Sequence, residues 1–300
     1  MNKPLLIAIC GPTASGKTAL SIELAKWLGT EILSFDSRQF YKELQIGAAP
    51  PSPEEQAQVK HHFIQHISVK QDYNAGQYER DAIVFLGKYF QNKKNIVTVG
   101  GSGMYIKALE EGFDDLPDNV QEVRTELNSL FAEKGIEPLQ KELAEKDPVY
   151  FAEVDQQNHV RLIRALEVIR TSGKTYSEQR SKPKKDRPFT TIKIGVDYPR
   201  EELYKRINLR VDLMMEAGLL EEAKNLYPLK AMNSLQTVGY TELFKFFDGE
   251  WDLEFAVSEI KKNSRRYAKR QMTWFRKDTN IHWIKPGDIE AAKKIIAPYI

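Results

Sequence analysis

The residues Gly11, Pro12, Thr13, Ala14, Ser15, Gly16, Lys17 and Thr18 read GPTASGKT, a spacing suited to holding phosphates. Gly11 and Gly16 permit a tight turn whose amides point inward, and a helix starting there adds a favourable dipole for anions. Lys17 supplies charge to phosphate oxygens, and the Thr18 hydroxyl can bind an oxygen or a Mg²⁺ ion. A phosphate cradle alone does not specify ATP hydrolysis, which usually wants an apolar strand ending in an acid to help hold the metal. Here the apolar run IVTV leads into Gly100, Gly101, Ser102 and Gly103, whereas EILSF leads to Asp36. Asp36 is therefore the acidic candidate near the cradle. It could stand beside a metal, take a proton from a hydroxyl, or activate the acceptor in a group transfer, and spacing does not separate these roles.

A second set of residues suits nucleic acid. Lys261, Arg265 and Lys269 recur every four positions, with Lys262, Arg266 and Arg270 beside them, so a helix would carry one broad basic face. Such a face is often only solvated surface. Tyr267, Trp274 and Phe275 lie among the cations, and aromatic rings with arginine can stack on unpaired bases while cations hold the backbone. The competing reading docks those aromatics into the core. Arg161, Arg164 and Arg170 alternate with Leu162, Ile163, Leu166 and Ile169, which reads first as packing. His61 and His62 lack a nearby third ligand, so a structural or nucleic-acid role is expected over a metal. The lone Cys10 sits in an apolar run and reads as an inert buried thiol.

These residues need a frame. Leu5 to Cys10, Glu31 to Phe35, Ile96 to Val99 and Thr191 to Val196 read as buried parallel strands, and Lys17 to Leu28 as a helix stopped by Gly29. Strand, helix, strand implies an α/β core with a parallel sheet flanked by helices. Residues 116–182 are charged and helix-like, including Val120 to Lys134 and Val160 to Thr171, and read as a helical insertion; 1–115 and 183–300 form the core. Ser181 to Pro188, SKPKKDRP, reads as the return linker. With 300 residues and 41% hydrophobic content the chain can bury a full core. The run at Leu5 to Cys10 is too short to span a membrane, so a cytoplasmic protein without a membrane partner is expected. Net charge is only +2, so positive surface for nucleic acid must be local, as in the C-terminal third.

GPTASGKT at 11–18, DSRQFY at 36–41, GGSGMYIKAL at 100–109, VRLIRALEV at 160–168 and RRYAKRQMTWFR at 265–276 together resemble the motifs, in order, of the tRNA dimethylallyltransferases, or isopentenyltransferases. The similarity spans almost the whole chain. It implies a P-loop core whose cradle holds dimethylallyl diphosphate, with tRNA held between core and insertion. The implied reaction moves the prenyl group to the exocyclic amine of the adenosine immediately 3′ of the anticodon and releases diphosphate, with Mg²⁺ as cofactor at Thr18. By resemblance Asp36 is the general base, Ser102 stands where the family usually has threonine and assists through its hydroxyl, and Arg210 closes over the diphosphate. Asp36, Ser37, Arg38 and Gln39 would receive the base, flipped out of its stack as base-modifying enzymes require. Arg124, Arg161 and Arg164 would contact the anticodon stem-loop, with Arg266, Arg270 and Trp274 on the C-terminal helix. A monomer is expected. IGAAPP stands where the family commonly has IGTAKP, so Ala48 and Pro50 replace a hydroxyl and a lysine; Val160 and Thr241 also depart from the pattern. The main alternative is an ATP-dependent small-molecule or nucleoside kinase on the same core; a non-catalytic RNA-binding NTPase is a more distant one.

Overall fold

The structure, a computed structural model, describes residues 3–112, 120–180 and 185–300. The strand β1 (Leu5–Cys10) has every residue buried, which is what its unbroken apolar run demands of a strand covered on both faces. Elements follow in the order α1 (Lys17–Leu28), β2 (Ile32–Ser34), α2 (Pro53–Gln58), β3 (His61–His62), α3 (Ala75–Tyr89), β4 (Asn95–Gly100) and α4 (Gly103–Glu111). Next come α5 (Gln121–Lys134), α6 (Glu137–Lys146), α7 (Pro148–Glu153), α8 (His159–Ser172) and α9 (Tyr176–Gln179). The chain closes with β5 (Thr190–Val196), α10 (Arg200–Glu216), α11 (Leu219–Leu226), α12 (Tyr240–Phe247), α13 (Leu253–Phe275), β6 (Ile281–Ile284) and α14 (Ile289–Ile296).

The six strands form one sheet in the order β3-β2-β4-β1-β5-β6, and every pairing is parallel. This is the P-loop NTPase-like α/β core. Cys10 lies level with Gly100 on one side and Gly195 on the other, so the turn after β1 opens between its neighbours' carboxyl ends, where open α/β sheets bind ligands. Two short strands escape the sequence reading: β3 has only two residues, and in β6 His282 interrupts the apolar residues, so neither gives an unbroken apolar run like that of β1. The strand expected over Glu31 to Phe35 is limited to Ile32–Ser34, so Asp36 lies in the turn beyond it, not at its last residue.

The chain divides into two compact units, Met1–Glu110 with Arg187–Ile300, and Glu111–Asp186. The expected insertion boundaries, at 115/116 and 182/183, and the linker residues 181–184 lie outside the described residues. Among the described residues the second unit is helical and has its own apolar core, built on Leu127, Leu139, Leu143, Leu162 and Leu166. The helix α8 begins where the Asn158 side chain accepts the Arg161 amide, and it ends at Gly173 in the left-handed conformation. No helix among the described residues is long and apolar enough to cross a membrane.

Glycine geometry gives a stability test. A Cβ on Gly100 would lie 2.6 Å from the Phe35 ring and 2.7 Å from the Phe35 backbone, which cannot swing aside. Gly100→Ala should therefore cost about 2 kcal/mol or more in urea denaturation. Gly87 is exposed inside α3 with nothing within 4 Å of an added Cβ, so Gly87→Ala should stabilise by about 0.5–1 kcal/mol. Equal effects at the two positions would contradict the packing described for the end of β4.

Candidate active site

The cradle is built from backbone that few residues can adopt. Gly11 (φ 148°) turns the chain out of the sheet, Ala14 takes φ 61°, and Gly16 (φ 81°) delivers it into α1. The first-turn amides of α1 have no acceptor within the helix and face the cradle with the positive end of its dipole. The loop is braced from within: Ser15 Oγ and Lys17 Nζ donate to the Pro12 carbonyl at 2.9 and 2.5 Å, and Arg206 Nε on α10 donates to the Ala14 carbonyl at 2.8 Å.

A cavity of about 430 Å³ opens beside this loop. Its polar wall includes Lys17, Thr18, Asp36, Arg38, Arg210 and Tyr267, and its apolar wall Val211, Met214, Leu219, Val238 and Ile260. Burial lowers Lys17 from the usual lysine value to about 8; Asp36 opposes that shift and Arg210 adds to it. Burial also lowers Arg210, again with Asp36 opposing. Lys17, Arg210 and Asp36 thus line one cavity and act on one another's charge, two cations to one carboxylate, an arrangement that favours an anionic ligand. The turn after β2 fixes Asp36: its Oδ1 accepts the Arg38 amide at 3.1 Å, and its own amide donates to Ser34 Oγ at 3.2 Å.

The neighbouring segments are fastened to the same cavity. Ser102 is buried; its hydroxyl accepts the Ser37 amide at 3.1 Å and donates to Ser37 Oγ at 3.0 Å. The Glu222 carboxylate accepts the amides of Gln45, Ile46 and Gly47 at 3.0, 2.8 and 3.0 Å and the Tyr240 hydroxyl at 2.6 Å, which shapes the IGAAPP turn along the cavity rim. Gln39 ties that turn to the Asp36 segment, with Nε2 donating to the Ala49 carbonyl at 2.9 Å. Arg38 Nη1 donates to the Ser234 carbonyl at 2.8 Å. Gln39 and part of Arg38, expected to read a base, are thus already engaged in the fold.

The broad basic face expected on α13 is narrower in the structure. Lys261 pairs with Asp212 at 2.5 Å, Lys262 with Glu259 at 2.8 Å, and Arg265 donates to Asn208 at 2.6 Å. The reason is that α10 packs along that part of the helix and supplies Asp212 and Asn208, while Glu259 comes from α13 itself. Arg266, Lys269 and Arg270 remain exposed, with Arg270 over the Tyr267 ring at 5.7 Å. Trp274 is 45% exposed, so it is only half docked; its indole edge rests on Gly103.

In the second unit, Arg124 Nη1 and Arg164 Nη1 converge on one oxygen of Glu167 at 3.6 and 3.1 Å. Glu167 is 1% exposed, and its other oxygen has no hydrogen-bond partner, so two cations compensate one buried charge. Arg161 is exposed, whereas Arg170 is tied to Glu142 by bonds of 2.8 and 2.6 Å. His61 bonds the Val59 carbonyl at 2.8 Å and His62 bonds Glu31 at 2.5 Å, so each has its own structural partner. Burial raises the Cys10 thiol well above its ordinary range.

The structure thus gathers the cradle, Asp36, Ser37, Arg38, Gln39, Ser102, Arg210 and the exposed end of α13 into one unit. Two residues of the site were not expected from the sequence: Arg206, which holds the cradle loop, and Gln271, buried between that loop and the GGSG turn. Arg206 lies one helical turn before Arg210, a spacing that could have singled it out. Gln271 has no such local signal.

The family model described as IPP transferase matches residues 39–278. A tRNA dimethylallyltransferase of Christiangramia forsetii is 54% identical over 280 residues, covering 93% of this chain and 93% of the relative. Among solved structures, the full-length tRNA isopentenylpyrophosphate transferase of Bacillus halodurans superposes with a TM-score of 0.71 at 36% identity, covering 99% of this chain and 95% of that one. A eukaryotic dimethylallyltransferase acting on tRNA superposes at 0.79 with 24% identity, over 98% of this chain and 77% of that one, a likeness in fold. With its cradle, its Asp36 turn and its α13 signature set in this frame, the chain belongs to the IPP transferase family, that of the tRNA dimethylallyltransferases.

Proposed function

We propose that this chain transfers a dimethylallyl group from dimethylallyl diphosphate to the exocyclic amine of the adenosine immediately 3′ of the anticodon in tRNA. The observation that carries the reading is that Asp36 shares one cavity with the cations Lys17 and Arg210 and with the apolar side chains Val211, Met214, Leu219, Val238 and Ile260. The cations and the α1 amides would hold the diphosphate, and the apolar wall would hold the prenyl chain. The amine nitrogen forms a bond to the first prenyl carbon as the bond from that carbon to the bridging oxygen breaks. The electron pair leaves with diphosphate, whose growing charge Lys17 and Arg210 meet, and the amine proton passes to Asp36. Ser102 acts through Ser37, holding the Asp36 segment against the GGSG turn.

Mg²⁺ suits this site, because Mg²⁺ is commonly held by one or two protein oxygens with substrate phosphates and water. The Thr18 hydroxyl at the first turn of α1 would hold it, and when bound it would neutralise charge on the diphosphate. For tRNA, the exposed Arg266, Arg270 and Trp274 would take backbone and unpaired bases near the core, and Arg124, Arg161 and Arg164 the anticodon stem-loop. The ATP-dependent kinase alternative lacks support in the family assignment.

Asp36→Asn keeps the size of the side chain and its acceptor for the Arg38 amide but removes the base. Single-turnover prenyl transfer, read as prenylated adenosine by mass spectrometry, should fall at least about 10²-fold with tRNA affinity within a few-fold. Near-normal transfer would remove Asp36 from the base role, and collapse of tRNA binding would make its role recognition. The same assay with ATP in place of dimethylallyl diphosphate should give no modified adenosine.

The lowered Lys17 gives a pH signature. Below about 8 Lys17 is charged and binds diphosphate; above it the free enzyme loses that charge. The KM for dimethylallyl diphosphate should therefore rise as pH passes 8, and binding at pH 8.5 should take up protons, seen as buffer-dependent heat in calorimetry. Heat independent of the buffer would mean that Lys17 is not the titrating contact.

Changing Arg266 and Arg270 together to Ala should weaken tRNA binding and lower the slope of log affinity against log salt by about 1–2, since fewer counterions are released. An unchanged slope would assign this end of α13 to plain solvated surface.

A further inference from the structure

Three side chains of α13, at positions 267, 271 and 274, fall on one face of the helix and meet the segment that follows β4. Tyr267 lines the cavity, Trp274 rests on Gly103, and Gln271 is buried against Gly101. Gln271 is 6% exposed, and both ends of its amide are spent. Nε2 donates to the Gly101 carbonyl at 2.9 Å, and Oε1 accepts the Thr13 amide at 2.9 Å. A Cβ on Gly101 would lie 2.2 Å from Gln271 Nε2, so the contact exists only because that residue is glycine.

The position of this bridge matters for the ligand. Cys10 and Gly100 end paired strands, so the loops that leave them flank one gap, and Gln271 spans it. Pro12 has no amide, and the Thr13 amide is committed to Gln271, which leaves the amides from Ala14 to Thr18 for an anion. An added phosphate at the far end would need the Thr13 amide and the space of Gln271. Asp36 lines the same cavity, so an added phosphate elsewhere along it would bring negative charge toward that carboxylate.

We propose that Gln271 is a positioning residue that limits the cradle to two phosphates and sets how deeply the diphosphate seats against α1. The inference rests on the reading of the cradle as a diphosphate site. By closing the Thr13 end, Gln271 stops a longer polyphosphate from sliding inward, and it holds the scissile bridging oxygen on the Asp36 side. It touches neither prenyl group nor amine; it acts through the Thr13 amide and the Gly101 carbonyl.

The test compares inorganic pyrophosphate with inorganic tripolyphosphate, by calorimetry, on the full chain and on Gln271→Met, which keeps the volume and removes both hydrogen bonds. The wild-type chain should prefer pyrophosphate, and in Gln271→Met the affinity ratio should move toward tripolyphosphate by about 5-fold or more. A role in packing alone would weaken both ligands by the same factor, and that result would overturn the proposal. Failure of the wild-type chain to bind pyrophosphate would instead remove the diphosphate reading of the cradle. Should Gln271→Met not fold, amide shifts of the wild-type chain decide: pyrophosphate should move the amides of Ser15, Gly16 and Lys17 and leave Thr13 in place. A Thr13 shift as large as that of Gly16 would overturn the proposal.

Discussion

Gly101 and Gly103 have no Cβ, and α13 lies where those atoms would be. Gln271 comes within 2.2 Å of the one missing position and Trp274 within 2.1 Å of the other. This close approach of a helix to a bare backbone turn brings together parts that are far apart in sequence. The cradle follows β1, the GGSG turn follows β4, and α13 comes near the carboxyl end of the chain. Through Gln271 the three share hydrogen bonds, and from the GGSG turn the Ser102 hydroxyl continues to Ser37 beside Asp36. The catalytic candidates are therefore placed by contacts that a single side-chain methyl would disturb.

Electrostatics work on the same small volume. A chain with a net charge of only +2 concentrates the half-buried Lys17 and Arg210 at one cavity, where desolvation lowers both and Asp36 partly compensates. An arriving diphosphate relieves the repulsion between the cations, so binding energy is available that an exposed pair in water would not provide. At the surface the opposite holds. Lys261, Lys262 and Arg265 are neutralised or tied by α10 and their own helix, and the cations left to solvent are grouped with Trp274 at one end.

What the sequence made legible follows the range of each interaction. The cradle, β1, β4, β5 and α1 rest on local patterns of apolar runs and glycines, and they stand where those patterns put them. The family resemblance, drawn from motifs spread along the chain, is matched by the family model and by full-length relatives. The strands β3 and β6 are invisible because the one has two residues and the other is interrupted by His282, so neither forms an apolar run. Gln271 looks like any glutamine on a basic helix, and its burial depends on a turn 170 residues away. The basic face was overread because charge spacing does not reveal which cations a neighbouring helix will claim, and Arg38 and Gln39 were read without the carbonyls that hold them.

The second unit interrupts the core at a particular moment in chain order. Strand β1 has β4 on one side, made before Glu111–Asp186, and β5 on the other, made after it. As the chain leaves the ribosome, the half-sheet β3-β2-β4-β1 and the helical unit, with its separate apolar core, can each collapse before β5 exists. During that interval β1 presents an open edge, and the residues Leu5 to Cys10 on it are wholly apolar. The insertion thus lengthens the time for which an apolar strand edge of the nascent protein is uncovered, a burden on biogenesis that falls before any tRNA is met.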